Sequence, residues 1–212
     1  MTFFRRAATA SMLGLLLGLP SVAQAQRDDS YTWKFGLDFG SMIFSTHTQP
    51  SSAIPSAGAH ILVMAKRSGL MVGVTEGFGS DETSAGGLIL FNDIRRYQAV
   101  LMAFPIKGAI EPYFGVGGGL LQAVNPRVDP VVQDPVDRAE LQSAADSAST
   151  SGFMTGLVGV QGRWKGLSIF AQYQLGSAPN DDKLLASVLH SFHAGLRFSL
   201  GSAREGTKAG GY

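Results

Sequence analysis

The fold is decided by the stretch His190-Ser-Phe-His-Ala-Gly-Leu-Arg-Phe-Ser-Leu200, near the end of the 212-residue chain. Its even positions from Phe192 to Leu200 are apolar, and its odd positions from Ser191 to Ser199 are polar or small. A period of two is that of a β-strand whose faces lie in different environments. The chain has almost no amphipathic helical segment that could cover the apolar face, so lipid is the remaining cover. We therefore predict the closing strand of a transmembrane β-barrel.

Strand patterns of the same kind recur along the whole chain. Residues 31–44 repeat the alternation, with Trp33 and Leu37 on one face and Lys34 and Asp38 on the other. Six more segments have strand character, at 57–65, 70–78, within 88–104, 109–124, 152–162 and 167–176. Short turns (66–69, 105–108, 163–166) alternate with longer loops (45–56, 79–87, 125–150, 177–187). The predicted fold class is therefore all-β, an eight-stranded antiparallel up-and-down transmembrane β-barrel with its short turns in the periplasm.

A soluble, lipocalin-like barrel is the alternative fold. It would reverse the two faces and collect its aromatic side chains inside. The membrane barrel instead places Trp33, Trp164 and Phe198 near the periplasmic rim, and Phe44 and Phe78 near the outer rim, where interfacial aromatic girdles lie.

The N-terminus carries the three parts of a secretory signal peptide. Arg5 and Arg6 precede an apolar run over residues 7–19, and the small-residue site Ala23-Gln24-Ala25 follows. This layout predicts cleavage after Ala25 and export of the mature chain. We divide the chain into a signal peptide (residues 1–25), a β-barrel domain (26–200) and a flexible C-terminal tail (201–212).

Composition narrows the partners and the chemistry. Without Arg5 and Arg6, the 17 basic residues fall to 15 against 16 acidic ones, so the mature chain has no basic surplus for binding nucleic acid. The absence of cysteine rules out disulfides and thiolate catalysis. The 27 glycines, without a collagen repeat, are typical of tightly curved strands.

Three stretches carry a family resemblance: Arg96-Tyr-Gln-Ala-Val-Leu101, Ile110-Glu-Pro-Tyr-Phe-Gly-Val-Gly-Gly-Gly119 and His193-Ala-Gly-Leu-Arg-Phe-Ser-Leu200. With them, the chain resembles the small eight-stranded outer-membrane β-barrel family, which includes OmpA-, OmpX- and OmpW-like proteins. The resemblance implies a monomer in the outer membrane of a diderm bacterium, in contact with outer-membrane lipid and lipopolysaccharide. The last stretch resembles the family's assembly signal, at His193, Gly195, Phe198 and Leu200, and implies recognition by the barrel-insertion machinery. It departs from the family in ending on leucine and in being followed by residues 201–212.

Polar residues on the first and last strands predict a network inside the barrel. Because these strands are neighbours in a closed barrel, Lys34 and Asp38 can approach His193 and Arg197 through the lumen. Buried charges must be paired, so we predict an Asp38–Arg197 ion pair. A structural plug is the favoured role of these four residues, and a substrate site is the alternative.

Other motifs do not assemble into catalytic, metal or cofactor sites. The run Gly115–Gly119 lies in mid-strand, whereas a phosphate-binding loop leads into a helix. His190 and His193 lie three apart on a strand and face opposite sides, so one metal ion cannot reach both. Ser191 and His190 face apart for the same reason, and no third catalytic partner is evident. No catalytic residue, metal or cofactor is predicted.

The longest loop, residues 125–150, is expected to be a solvated surface loop. Asp134-Pro135 has the pattern of an N-cap followed by proline, which predicts a short helix toward Ala148. Its acidic side chains suggest calcium or lipopolysaccharide binding as an alternative, but the spacing lacks a Gly-centred cation loop.

These observations predict a non-enzymatic outer-membrane protein with a structural or surface-interaction role and a side-chain-filled lumen. A narrow channel or carrier for small apolar molecules, as in OmpW-like proteins, is the alternative. An enzyme acting on lipid A comes third.

Overall fold

The computed structural model describes residues 30–79, 83–85, 88–164, 166–179 and 183–204, with the backbone alone for residues 30, 83–85 and 201–204. The predicted signal peptide and residues 205–212 of the predicted tail lie outside these ranges. The elements in chain order are β1 Ser30–Phe44, β2 Ser52–Ala65, β3 Ser68–Gly77, β4 Thr83–Ala85, β5 Ile89–Phe91, β6 Asp93–Ala103, β7 Ile110–Val124, β8 Arg127–Val128, helix α1 Pro135–Ala148, β9 Thr150–Trp164, β10 Leu167–Gly176 and β11 Leu189–Arg204.

Eight long strands close into one antiparallel barrel, in the order β1-β11-β10-β9-β7-β6-β3-β2. Each strand pairs with its neighbours in sequence except at the seam, where β1 pairs with β11. The predicted fold class is confirmed. Because short turns face the periplasm in outer-membrane barrels, we call the end with the turns β2–β3, β6–β7 and β9–β10 the periplasmic end and the opposite end the extracellular end.

The apolar face of each barrel strand points outward. In β11, Phe192 and Leu196 are exposed while Ser191, His193 and Arg197 are buried. Apolar side chains of the other barrel strands are likewise exposed, among them Leu37, Phe39, Leu101, Phe114, Val158 and Ile169. This is the inside-out distribution that a lipid environment requires, and it is opposite to that of a soluble barrel.

Aromatic and polar side chains mark the two edges of this apolar belt. At the periplasmic end, Trp33, Trp164 and Phe198 are exposed, as predicted. At the extracellular end, Arg95 pairs with Glu76 on the outer face at 2.7 Å. The prediction for Phe44 was wrong, because its side chain is buried inside the barrel against Phe91.

Strand boundaries differ from the sequence-based ones at two places. β2 begins at Ser52 within the predicted loop 45–56, since its first residues pair with the end of β1. β11 pairs with β1 as far as Arg204, four residues beyond the predicted end of the barrel domain. The pairing of β1 with β11 has one register shift, between Trp33 and Lys34.

The long loops at the extracellular end form a folded cap. Strands β4, β5 and β8 make a small three-stranded sheet, and α1 packs beside it. The predicted N-cap is confirmed, because the Asp134 carboxylate accepts hydrogen bonds from the backbone N–H groups of Val136 (2.8 Å) and Asp137 (3.3 Å). No helix in the described ranges is long and apolar enough to cross a bilayer.

Candidate functional site: the barrel lumen and its two ends

Arg197 is the centre of the polar network inside the barrel. Its side chain is 0% exposed. Nε donates to His60 Nε2 at 2.9 Å, and the two terminal nitrogens donate to Gln161 Oε1 at 2.9 Å and Gln172 Oε1 at 3.3 Å. The guanidinium also stacks on Phe170, with its central carbon 3.9 Å from the ring centroid. Arg197 therefore ties β11 to β2, β9 and β10 across the lumen.

His60 connects Arg197 to Asp38. A guanidinium nitrogen can only donate, so His60 Nε2 must accept, and the ring proton must lie on Nδ1. Nδ1 then donates to Asp38 Oδ2 at 3.1 Å. The predicted direct Asp38–Arg197 ion pair is corrected here: within the described residues the two charges are bridged by a neutral imidazole. Both groups do lie on the inner face, and both are buried.

A second branch runs from Arg197 toward the periplasmic end. The side-chain amide of Gln161 donates to Glu111 Oε2 at 2.7 Å, and Arg163 donates to Glu111 Oε1 at 2.9 Å. Glu111 is 0% exposed. Each of its two carboxylate oxygens therefore needs a protein donor, and each has one. Lys34 lies at the same end, 6% exposed, and its ammonium contacts Ser168 Oγ at 3.4 Å.

The extracellular half of the lumen contains a layer of polar side chains, the Arg96 layer, in which fewer atoms have hydrogen-bond partners. Arg96 is 1% exposed and donates to Ser191 Oγ at 2.9 Å, while its Nε and second terminal nitrogen have no partner among the described residues. Gln98, Gln174 and His193 also have buried side-chain atoms without such a partner. Buried groups of this kind are usually bridged by ordered water. The Arg96 layer is therefore joined by fewer direct hydrogen bonds than the Arg197 network.

Apolar side chains close the lumen above and below the polar levels. The upper cluster, at the extracellular end, contains Met42, Phe44, Ile54, Phe91, Ile94, Leu121, Ala123, Phe153, Leu184, Leu185 and Leu189. The lower cluster, toward the periplasm, contains Leu62, Met64, Met71, Val100, Met102, Phe104, Tyr113 and Leu157. An eight-stranded barrel has just enough interior volume to be filled in this way.

The four residues predicted for the lumen network all lie inside the barrel but do not form one cluster. Asp38 and Arg197 share the His60 bridge. His193 contacts Ser56 Oγ at 3.0 Å, and Lys34 lies at the periplasmic end. Of the four residues predicted as the assembly signal, His193 and Gly195 are on the inner face, and Phe198 and Leu200 are exposed. Recognition of that signal stays a prediction.

The sequence reasoning missed the residues that join the network, above all His60, Arg96, Glu111 and Gln161. Each stands at an inward position of its strand, so strand parity could have identified all four as luminal. Their partners come from strands distant in sequence, and no local pattern specifies those pairings.

The Ser191–His190 neighbours point to opposite faces, as the strand geometry predicts. Ser191 lies in the lumen, bonded to Arg96, whereas His190 Nδ1 contacts the Tyr173 hydroxyl at 2.7 Å on the outer side. The two side chains therefore cannot act together as base and nucleophile. No group of three or more potential metal ligands is found in the described ranges.

Apolar contacts attach the cap to the barrel, and hydrogen bonds join α1 to the neighbouring loops. Leu184 and Leu185, from the loop before β11, belong to the upper cluster, and Ala145 of α1 is fully buried. Gln142 of α1 donates to the Pro126 carbonyl at 2.8 Å. Lys183 donates to the Ser147 carbonyl at 3.2 Å. The described part of the cap, α1 included, is therefore held by contacts with neighbouring loops and with the upper cluster.

A closed eight-stranded barrel with an apolar outer belt and a filled interior defines a transmembrane barrel of the outer-membrane class. The chain is similar to Neisserial surface protein A (NspA), with a TM-score of 0.58 and 17% identity over 79% of this chain and 97% of that one. Weaker similarities are to Ail, the attachment invasion locus protein of Yersinia pestis, in complex with the heparin analogue sucrose octasulfate (TM-score 0.47, 12% identity, 80% and 98% covered), and to the outer membrane enzyme PagL (0.39, 12%, 76% and 98%).

No family model matches the sequence, and no curated protein matches it. The similarity to NspA confirms the fold of the eight-stranded outer-membrane barrels that the sequence resemblance implied.

Proposed function

We propose that the protein is a non-conducting outer-membrane barrel with a structural or surface-interaction role. The mature chain sits as a monomer among outer-membrane lipid and lipopolysaccharide, after signal-peptide cleavage and delivery to the barrel-insertion machinery. Apolar clusters and a polar network fill its lumen in the described residues, and its extracellular cap is the surface available to partners outside the cell.

The observation that carries this proposal is the filling of the lumen. Any permeating solute would have to displace the upper cluster, the Arg197 network and the lower cluster in turn. Breaking the network would leave buried charges unpaired, which costs several kcal/mol. The same observation counts against a channel or carrier that moves small apolar molecules through the interior.

The cap supports the surface-interaction part of the proposal. Val131 and Val136 are among the most exposed apolar side chains of the cap. They lie beside the acidic side chains of α1 and its approach, so a partner would meet apolar and negatively charged groups on an ordered helix. A binding surface that is already ordered loses less entropy on association than a flexible loop.

Conductance in planar lipid bilayers tests the proposal. The refolded mature protein should produce no discrete openings at any applied voltage that the bilayer tolerates. A general diffusion porin in the same lipid serves as the positive control. Reproducible unitary openings of the wild-type protein would contradict the proposal and favour the channel alternative.

A further inference from the structure

The periplasmic end of the lumen contains a small pocket lined mainly by cations. It has a volume of about 200 Å³ and is lined by Thr32, Lys34, Met64, Lys66, Lys107 and Arg163. We call it the basic mouth. Its volume is several times the ~30 Å³ share of one water molecule, so it has room for a small polyatomic ion.

The four cations come from different parts of the barrel. Lys34 is on β1, Lys66 is in the β2–β3 turn, Lys107 is in the β6–β7 turn, and Arg163 is near the end of β9. Strands and turns far apart in sequence therefore bring four positive charges to one pocket. Like charges at such short range repel, so the arrangement costs free energy unless a negative charge joins them.

Among these cations, Lys34 and Lys107 have no carboxylate partner in the described ranges. Glu111 is the acidic residue that contacts the mouth, through Arg163, and its second oxygen is already taken by Gln161 at 2.7 Å. Lys107 lies 6.0 Å from the centroid of the Phe104 ring, a contact that leaves its ammonium without an anion.

Lys34 is the buried charged residue of the pocket. Its side chain is 6% exposed and lines the mouth, and its one polar contact in the described structure is the neutral Ser168 hydroxyl at 3.4 Å. A buried ammonium without a carboxylate is costly, and burial is normally tolerated only when a counter-charge is present. The missing counter-charge is thus expected on the open side of the pocket.

We propose that the basic mouth binds a phosphate-class anion. The ammonium groups of Lys34 and Lys107 and the guanidinium of Arg163 line one pocket, and Lys and Arg are the side chains that bind phosphate oxygens. Two sources carry this chemistry: a free phosphate or phosphate ester in the periplasm, and the headgroup of an anionic phospholipid reaching over the barrel rim. This proposal goes beyond the proposed function and does not depend on it.

Isothermal titration of the refolded mature protein with inorganic phosphate, in a neutral detergent and at constant ionic strength, tests the proposal. The wild type is expected to bind phosphate saturably. Lys34→Met, which removes the charge but keeps an apolar stem, is expected to bind phosphate at least tenfold more weakly. Arg138→Gln, which removes one positive charge from α1 at the other end, is the matched control and should bind like the wild type.

Three results would overturn the proposal: no saturable binding by the wild type, undiminished binding by Lys34→Met, or equal weakening in Arg138→Gln. If Lys34→Met does not fold, as judged by heat-modifiable migration in gels, the exposed variant Lys107→Gln replaces it and should bind at least threefold more weakly. Repeating the titration in nanodiscs identifies the source. If a lipid headgroup is the occupant, phosphate should bind more weakly in nanodiscs of anionic phosphatidylglycerol than in nanodiscs of phosphatidylcholine. Equal affinity for phosphate in the two lipids identifies the free anion as the occupant.

Discussion

At the scale of single residues, the interior is organised by Arg197. One guanidinium uses all three of its nitrogens on acceptors from three other strands, and its face stacks on Phe170. Charge-assisted hydrogen bonds of this kind are stronger than neutral ones, and the planar group fits several acceptors at once. A lysine at this position could supply one charge but not the same fixed set of donors.

Arg197→Met should destabilise the barrel by about 3–5 kcal/mol, because it leaves Asp38 buried without its bridged counter-charge. The measurement is the free energy of unfolding in urea, with the protein inserted in lipid vesicles. Arg138→Met, on the exposed face of α1, is the control and should change the value by less than about 0.5 kcal/mol. A loss below about 1 kcal/mol in Arg197→Met would show that the network contributes little to stability.

The face of the strand on which each residue lies could be predicted from the sequence, whereas its hydrogen-bond partners could not. The period of two placed Asp38, His193 and Arg197 correctly on the inner face. The choice of partner depends on register and side-chain length across the lumen, so His60, not the expected guanidinium, became the neighbour of Asp38. Gln161 was missed for the same reason, since its role is set by Arg197 and Glu111 on other strands.

At the scale of elements, β6 and β7 approach each other closely at a glycine. A Cβ placed on Gly119 would overlap the backbone carbonyl oxygen of Tyr97 on β6. Backbone atoms cannot rotate aside as a flexible side chain can, so this position tolerates no side chain without movement of the strand. Glycine here allows the pair to coil tightly within a small barrel.

Gly119→Ala should therefore lower the free energy of unfolding by about 1–3 kcal/mol, the usual cost of overpacking. Gly156→Ala on β9 is the matched control, because a Cβ there meets no atom within 4 Å. Its effect should stay within about 0.5 kcal/mol. Equal unfolding midpoints in urea for both variants would refute the close-approach argument.

Elements were predicted well where the local pattern was strong. The N-cap at Asp134 and the helix that follows were readable because a capping carboxylate and a proline act within a few residues. The start of β2 at Ser52 was not, since its polar and proline-containing sequence becomes a strand only through pairing with β1. The small sheet of β4, β5 and β8 is likewise specified by contacts between separate loops.

At the scale of the whole molecule, the two ends differ in charge and construction. The periplasmic end has short turns and the basic mouth. The extracellular end has α1, whose carboxylates include Asp137, Glu140 and Asp146. The apolar belt between the two ends suits the hydrocarbon core of a membrane. Because the ends differ, the surface exposed on one side of that membrane differs in charge from the surface exposed on the other.

Cysteine labelling tests this orientation cleanly, because the chain has no cysteine of its own. Glu140→Cys, exposed on α1, should react with a membrane-impermeant maleimide on intact cells. Lys107→Cys, in the β6–β7 turn, should react only after the outer membrane is permeabilised. The reverse pattern would mean that the barrel is inserted the other way round.

The seam between β1 and β11 has a consequence for the order of folding. It joins the two ends of the barrel, pairing Ser30 with Arg204 and Ile43 with His190. Contacts between residues so distant along a chain form slowly, because a very long loop must close before they contribute. The cylinder can therefore shut only after its last strand has arrived, and a polypeptide shortened within β11 would stall as an open sheet with β1 unpaired.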